Sequence, residues 1–308
     1  MFSSGTFRQG VATLLFAMLL LVAGQVSAQP IEESRTNATP RKPGTDYTLR
    51  DSTAALKYEL GALTAGIGIL GVNSWDWGSS SFRMNSEGWF GMNTGSGGTD
   101  KLGHMYSSYV ISEFLRSRLL HHVEDIPRKR AARDGALFSF GLMTVVELFD
   151  GVSSDHGFSY EDMVLNSLGI GFSYLRGISP KLGERLDLRW QYWPSSRSSG
   201  FHPVTDYEGH TFLIALKPAG FDLVKETPLK YLELHAGYSA RGFKRELGFT
   251  DQDRRTALYL GVAFNLEELI FRPGKDLLGR PGELANTLLK YIQIPDTSLN
   301  VDVSRREL

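Results

Sequence analysis

Four short stretches of this 308-residue chain set ionisable side chains among apolar or small neighbours, where they are costly unless they serve a purpose. Thr99-Asp100-Lys101-Leu102-Gly103-His104 carries an acid and an imidazole four apart, so Asp100 and His104 share one face of any helix drawn through them. Val145-Val146-Glu147-Leu148-Phe149-Asp150-Gly151 places two carboxylates three apart, again on one helical face. Asp155 and His156 follow in a turn, after which Asp162 and Asn166 stand four apart, with Gly169 and Gly171 leaving room for a neighbour. In the chemical reading, His104 is a general base or metal ligand that Glu147 and Asp162 orient, with Asp100, Lys101, Asp150, Asn166 and Gly169 in support.

Most of these residues also have a plain structural reading. Thr99 or Asp100 can cap a helix, and Ser159-x-x-Asp162 fits a capping box with an acidic third residue. Asp150-Gly151 reads as a helix C-terminus with Gly151 at C′. Glu147 resists such treatment: flanked by Val145, Val146, Leu148 and Phe149, its carboxylate needs a partner, and Lys101 or His104 is the natural one. One histidine with carboxylates is a thin metal site, which Asp155-His156 either supplements or leaves alone as a solvated turn, and His121-His122 reads as a wet helix end. No metal or cofactor is expected. The HExxH spacing, the GxSxG elbow and a glycine-rich phosphate loop are all missing, so no standard chemistry is spelled out.

These residues must be positioned by helices. Ala54 to Val72 is an apolar, glycine-dotted helix with Ser52 or Thr53 near its cap; further helices are expected from Lys101 to about His122, Arg130 to Asp150, and Tyr160 to about Leu175. Between the first two, Trp75 to Gly98 is a long loop of glycine, serine and aromatic residues, a length that marks function or mobility. After Pro180 the period changes to two, with Leu186, Leu188, Trp190 and Tyr192, then Phe212, Ile214 and Leu216, then Leu232, Leu234, Ala236 and Tyr238, then Leu258, Leu260, Val262 and Phe264. Hairpin-like connections make these four strands antiparallel; four strands do not close a membrane barrel. A short helix over Pro281 to Ile292 and a polar tail from Pro295 complete the chain. The fold class expected is α+β: a helical domain over 51–180, an antiparallel region over 181–270, and a short helix and tail over 271–308.

Residues 1–28 read as a cleavable secretory signal, with Arg8 ahead of the apolar Val11 to Ala23 and Val26-Ser27-Ala28 as the cleavage site; 29–50 is a flexible lead-in. The absence of cysteine removes disulfides, thiolate metal sites and cysteine nucleophiles. With 33 Lys plus Arg against 34 Asp plus Glu, nothing favours a nucleic-acid partner.

In order, DKLGH, ELFD and GFSYEDMVLNSLG resemble an envelope family described as predicted periplasmic lipoproteins, which includes the YfiM-like proteins. The set is more distantly similar to VanZ-like proteins, whose helices carry Asp-Lys-x-x-His, Glu-x-x-Gln and Asp-x-x-x-Asn-x-x-Gly. On that pattern Asp100, Lys101, His104, Glu147, Asp162, Asn166 and Gly169 match, and Asp150 replaces a glutamine. The resemblance covers about residues 55 to 176 and implies a periplasmic or outer-membrane location, a membrane or envelope partner, and no established reaction. The chain departs from the family's description in having no cysteine to acylate. Two function classes follow: a structural or interaction module, or an enzyme or binding protein acting on an envelope lipid or glycan through His104, Glu147 and Asp162. Cleavage after Ala28 is directly testable: N-terminal sequencing of the envelope fraction should begin at Gln29, and a mature chain that retains Met1 refutes the signal reading.

Overall fold

The computed structural model describes residues 47–195, 201, 203, 206–243 and 248–307; the expected signal and most of the lead-in, residues 1–46, lie outside the described residues. The chain is α+β, with helices toward the N-terminus and an antiparallel sheet toward the C-terminus. Among the described residues it forms two compact units, one of 47–86 with 107–180 and the other of 87–106 with 181–307.

The helices are α1 (Leu49–Ala55), α2 (Lys57–Ser74), α3 (Thr99–His122), α4 (Arg128–Asp150) and α5 (Tyr160–Ile178). Thr48 and Asp51 open α1 by a capping box, the Thr48 hydroxyl accepting the Asp51 N–H at 3.3 Å and the Asp51 carboxylate accepting the Thr48 N–H at 2.9 Å. The cap therefore falls ahead of Ser52, which is instead buried and donates its hydroxyl to Asp134 Oδ2 at 2.7 Å. The Ser159 hydroxyl accepts the Asp162 N–H at 3.2 Å, which is the cap expected for α5. Gly151 does end α4, but with a right-handed φ of −55°; glycine is needed there because the Phe82 ring lies where a β-carbon would go.

The polarity of these helices is the reverse of the usual one. On α4 the buried face carries Asp134, Ser139, Glu147 and Asp150, while Leu137, Phe140, Val145 and Leu148 are exposed. On α5 the buried face carries Asp162, Asn166, Ser173 and Arg176, while Val164, Leu168 and Leu175 are exposed. A surface helix of a water-facing domain turns its apolar stripe inward. No single described helix is long and apolar enough to cross a membrane; α1 and α2 pass that test together, bent by 72°.

In the other unit, α6 (Pro180–Arg185) leads into β1 (Leu186–Tyr192), β2 (His210–Leu216), β3 (Leu232–Arg241) and β4 (Arg255–Phe264), with α7 (Lys275–Leu288) before β5 (Ser298–Glu307). The strands lie in chain order, each antiparallel to the next. The first four match the expected alternations, whereas β5 occupies the expected polar tail. Leu299, Val301 and Val303 alternate there with Asn300, Asp302 and Ser304, and the strand pairs with β4 across an irregularity at Leu258/Tyr259. The last helix starts earlier than expected and kinks at Gly279, whose φ is 51°. The aromatic segment after Glu87 is fixed to this sheet: Phe90 meets Tyr238 edge-on at 5.5 Å, and the Tyr238 hydroxyl donates to the Gly97 carbonyl.

The sheet, too, buries charge and exposes hydrocarbon. Asp187 and Glu233 are 0% and 2% exposed, against 64% for Phe264 and 85% for Leu299. Arg189 grips Glu233 with both ends of its guanidinium, at 2.7 and 2.9 Å, and reaches Asp187 at 3.0 Å and Gln293 Oε1 at 3.1 Å. Lys217 Nζ stands 2.9 Å from the same Asp187 oxygen, and His235 Nε2 lies 3.2 Å from Glu233 Oε2. Burial would push the Glu233 carboxyl up, but the hydrogen bond from His235 and the Arg189 charge hold it below the ordinary carboxylate value. Arg189→Met should strand these carboxylates and lower stability by about 3–5 kcal/mol in chemical denaturation, with Arg189→Lys costing less. An unchanged unfolding midpoint in Arg189→Met shows that the network carries no stability.

Candidate functional site

Lys101, in the first turn of α3, has no exposed surface, and its Nζ lies 3.1 Å from Asp100 Oδ2 and 3.2 Å from Glu87 Oε2. The Ser96 hydroxyl also binds the Asp100 carboxylate, and Ser96 Oγ accepts the Asp100 N–H at 3.4 Å. Burial acts to raise the Asp100 pKa; the Lys101 ammonium, with hydrogen bonds from Ser96, Glu87 and Lys101, outweighs it and holds the carboxyl below its usual value. His104 lies one turn further along α3 and is half-buried.

In the helical unit, Glu147 is fully buried and its Oε1 accepts Asn166 Nδ2 at 3.2 Å, so α4 and α5 are joined at the residues expected. The Ser108 hydroxyl donates to the Asn166 carbonyl at 3.0 Å, and the Ser139 hydroxyl to the Ser108 carbonyl at 2.7 Å, which ties α3 to both. Two turns on from Asn166, Ser173 Oγ is 2.8 Å from Ser112 Oγ and 3.0 Å from Glu113 Oε1, and Glu113 pairs with Arg116 at 2.8 Å. Asp150 Oδ1 accepts the Trp77 indole N–H at 2.6 Å, and Trp77 stacks on Phe149 at 4.9 Å. Asp162 is buried in the first turn of α5, and its neighbour Glu161 accepts the Ser86 hydroxyl at 2.6 Å. Gly169 is buried on the same helix.

Around the Asp155-His156 turn, Arg83 donates to the carbonyls of Ser154 and His156, the latter at 2.7 Å. The expected wet helix end holds an ion pair, with Glu59 Oε1 2.7 Å from His122 Nε2 and 2.8 Å from Arg118 Nε. The expected residues thus fall into two sets, Asp100 with Lys101 in the sheet unit and Glu147 with Asn166 in the helical unit. Pattern reading passed over Glu87, because a single glutamate in a glycine-serine-aromatic stretch has no spacing signal. It also passed over Glu113 and Asp134, which sit on helices already assigned to an apolar role; their signal was the charge itself inside an otherwise small-residue face.

Internal charge under an apolar exterior, helices first and antiparallel sheet second, defines the class of protein. More particularly, residues 86–178 match the family model described as "Predicted periplasmic lipoprotein (DUF2279)", which bears out the resemblance carried by DKLGH, ELFD and GFSYEDMVLNSLG and supports a periplasmic, envelope location. No curated protein and no solved structure matches the chain.

Two substitutions separate the roles of these charges. Lys101→Met should cost about 3 kcal/mol by leaving Asp100 and Glu87 without their ammonium. Since the folded-state Asp100 pKa lies below its ordinary 3.8, its stabilisation is complete above that value and is lost as pH falls through the folded pKa; removing Lys101 moves the onset of acid unfolding to higher pH. Glu147→Ala should likewise lower stability by about 3 kcal/mol, and Glu147→Gln by less, because the amide keeps the shape and a hydrogen bond. Thermal and acid unfolding of the three variants measures both effects, and three unchanged curves overturn them.

Proposed function

We propose that this chain is an exported envelope module, structural or interacting in role, that rests against a lipid surface and keeps its charged residues internal. The observation that carries this reading is the exposed apolar face in each unit: Leu137, Phe140, Val145 and Leu148 on α4, and Leu234, Leu260, Val262, Val301 and Leu299 on the sheet. Apolar patches of that extent mark a protein or membrane contact. Lipid is favoured because the reversal recurs in helices and sheet alike, and because a groove of about 440 Å³ lined by Ile67, Gly68, Val72, Trp77, Leu142 and Phe149 has the volume and lining for an acyl chain. Aromatic residues such as Trp89, Phe90 and Trp193 are exposed as well, and tryptophan favours the boundary of lipid and water. The periplasmic family match supports the location, and the signal expected over 1–28 supplies the route; the outer membrane is the surface proposed.

A second reading keeps the distant VanZ-like likeness in view: an enzyme or binding protein for an envelope lipid or glycan, with His104 as base and Glu147 and Asp162 orienting it. It is favoured by the burial of both carboxylates, which a helix does not retain cheaply. The two readings differ in what variants do. In the structural role, loss of complementation in a deletion strain follows loss of thermal stability in His104→Ala, Glu147→Gln and Asp162→Asn. In the catalytic role, complementation fails while the unfolding temperature holds.

For lipid contact itself, the expected result is that the mature chain floats with neutral phosphatidylcholine vesicles in a density gradient and requires detergent to stay dispersed without them. A mature chain that stays soluble and monomeric in detergent-free buffer overturns the proposal, and a detergent-free dimer assigns the apolar faces to a second copy.

A further inference from the structure

At one end of the sheet, where Tyr192 pairs with His210 and Arg241 with Arg255, a second cavity of about 440 Å³ opens. Arg241, Arg254 and Arg255 line it together with Trp193, Phe249 and Gln252. Arg241 and Arg255 are direct cross-strand partners, an arrangement of like charges that costs stability unless something negative lies between them. Arg241 is anchored from behind, donating to the carbonyls of His210 at 2.6 Å and Ala240 at 2.9 Å and to Thr211 Oγ1 at 3.0 Å. Arg254 lies over the Phe243 ring and donates to the Met92 carbonyl at 2.9 Å, while its Nε is buried without a hydrogen-bond partner. Arg255 is exposed and meets no acidic partner among the described residues.

The acids at the cavity are already engaged. Glu208 accepts the N–H groups of Gly242 and Phe243, the second at 2.8 Å, and Asp253 accepts the Thr250 N–H at 2.7 Å and its hydroxyl at 2.8 Å. Asp251 reaches Arg254 at 3.2 Å from a half-exposed position. What remains in the concavity is a donor surface of guanidinium groups beside two aromatic rings, and a planar fork is suited to the oxygens of a phosphoryl group. The exposed apolar row of β4 begins at Leu258, a few residues from Arg255, so the arginines sit where the apolar face of the sheet runs out. That is the place of a headgroup when hydrocarbon covers the row.

The geometry points to a binding site for the phosphoryl headgroup of an anionic phospholipid, formed by Arg241, Arg254 and Arg255. The inference rests on the lipid-facing reading above and supplies its partner chemistry. A basic residue near an anionic membrane surface is worth about fivefold in binding, so Arg255→Gln and Arg254→Gln should each weaken binding to vesicles containing phosphatidylglycerol by roughly that factor. Neither should change flotation with pure phosphatidylcholine, and Lys225→Gln, which alters a cation paired with Asp222 elsewhere on the unit, should change neither.

The experiment is vesicle flotation of the full mature chain, with inorganic phosphate and glycerol phosphate as soluble competitors. A preference for phosphatidylglycerol that Arg255→Gln removes, and that the soluble phosphates leave intact, supports the site. Equal binding to both kinds of vesicle overturns the headgroup site while leaving the lipid-facing reading standing. Displacement by inorganic phosphate at low concentration overturns the lipid as occupant and makes the pocket a free-phosphate site. Loss of equal size in Lys225→Gln reduces the effect to diffuse charge and also overturns it. Failure of the lipid-facing reading has its own sign, the absence of flotation with phosphatidylcholine.

Discussion

The ammonium of Lys101 has no contact with solvent, and it is stable as a charge because Asp100 and Glu87 stand within about 3.2 Å of it. That requirement reaches well beyond the three side chains. Glu87 can serve Lys101 only if the segment that carries it folds down on the start of α3, and this fixes the aromatic residues that follow, with Phe90 against Tyr238 and Gly97 accepting the Tyr238 hydroxyl. The sheet is organised by the same constraint. Arg189 draws Glu233 of β3 and Gln293 from beyond α7 to β1, so the charged face of the sheet is closed by one guanidinium that satisfies two carboxylates.

Buried ion pairs of this kind contribute little net stability, since desolvation consumes most of the attraction. Their effect is to exclude alternatives. If β1 slipped by one residue against β2, Arg189 would turn to the opposite face and leave Asp187 and Glu233 stranded. The helical unit uses neutral groups for the same end. Glu147 meets an amide in Asn166, and serine hydroxyls at 108, 139 and 173 reach carbonyls or acceptors on neighbouring helices.

The elements themselves were largely legible. Helical spacing located α3, α4 and α5 to within a few residues, and alternation located β1 to β4, because both periods survive whichever face is buried. That same insensitivity explains what could not be read. A period of two in Leu232, Leu234, Ala236 and Tyr238 shows that these residues share a face, but not that Glu233 and His235 on the other face are the buried ones. The strand at 298–307 was hidden by its polar alternates, and the cap at Thr48 by a lead-in read as flexible. Of the site residues, Glu147 was legible through its cost and Asn166 through its spacing from Asp162. Glu87 was not, since only the tertiary fold gives it a position.

The composition of the helix contacts bears on the lipid-facing reading more directly than the exposed residues do. In water, helices are driven together by apolar side chains, and the contacts fill with leucine and phenylalanine. In hydrocarbon that drive vanishes, and helices associate through close approach of small residues and hydrogen bonds between their side chains. The buried faces of α4 and α5 hold Ala131, Ala132, Gly135, Ser139, Gly169, Ser173 and Gly177, with few large apolar residues among them. A β-carbon on Gly135 would run into the backbone of α3 at Ser112 and Arg116, so the approach there depends on glycine. These helices are therefore held by the forces that operate where hydrocarbon lies outside. In plain water the same packing would leave Leu137, Phe140, Leu148 and Leu168 facing the solvent with nothing in the fold to repay the exposure.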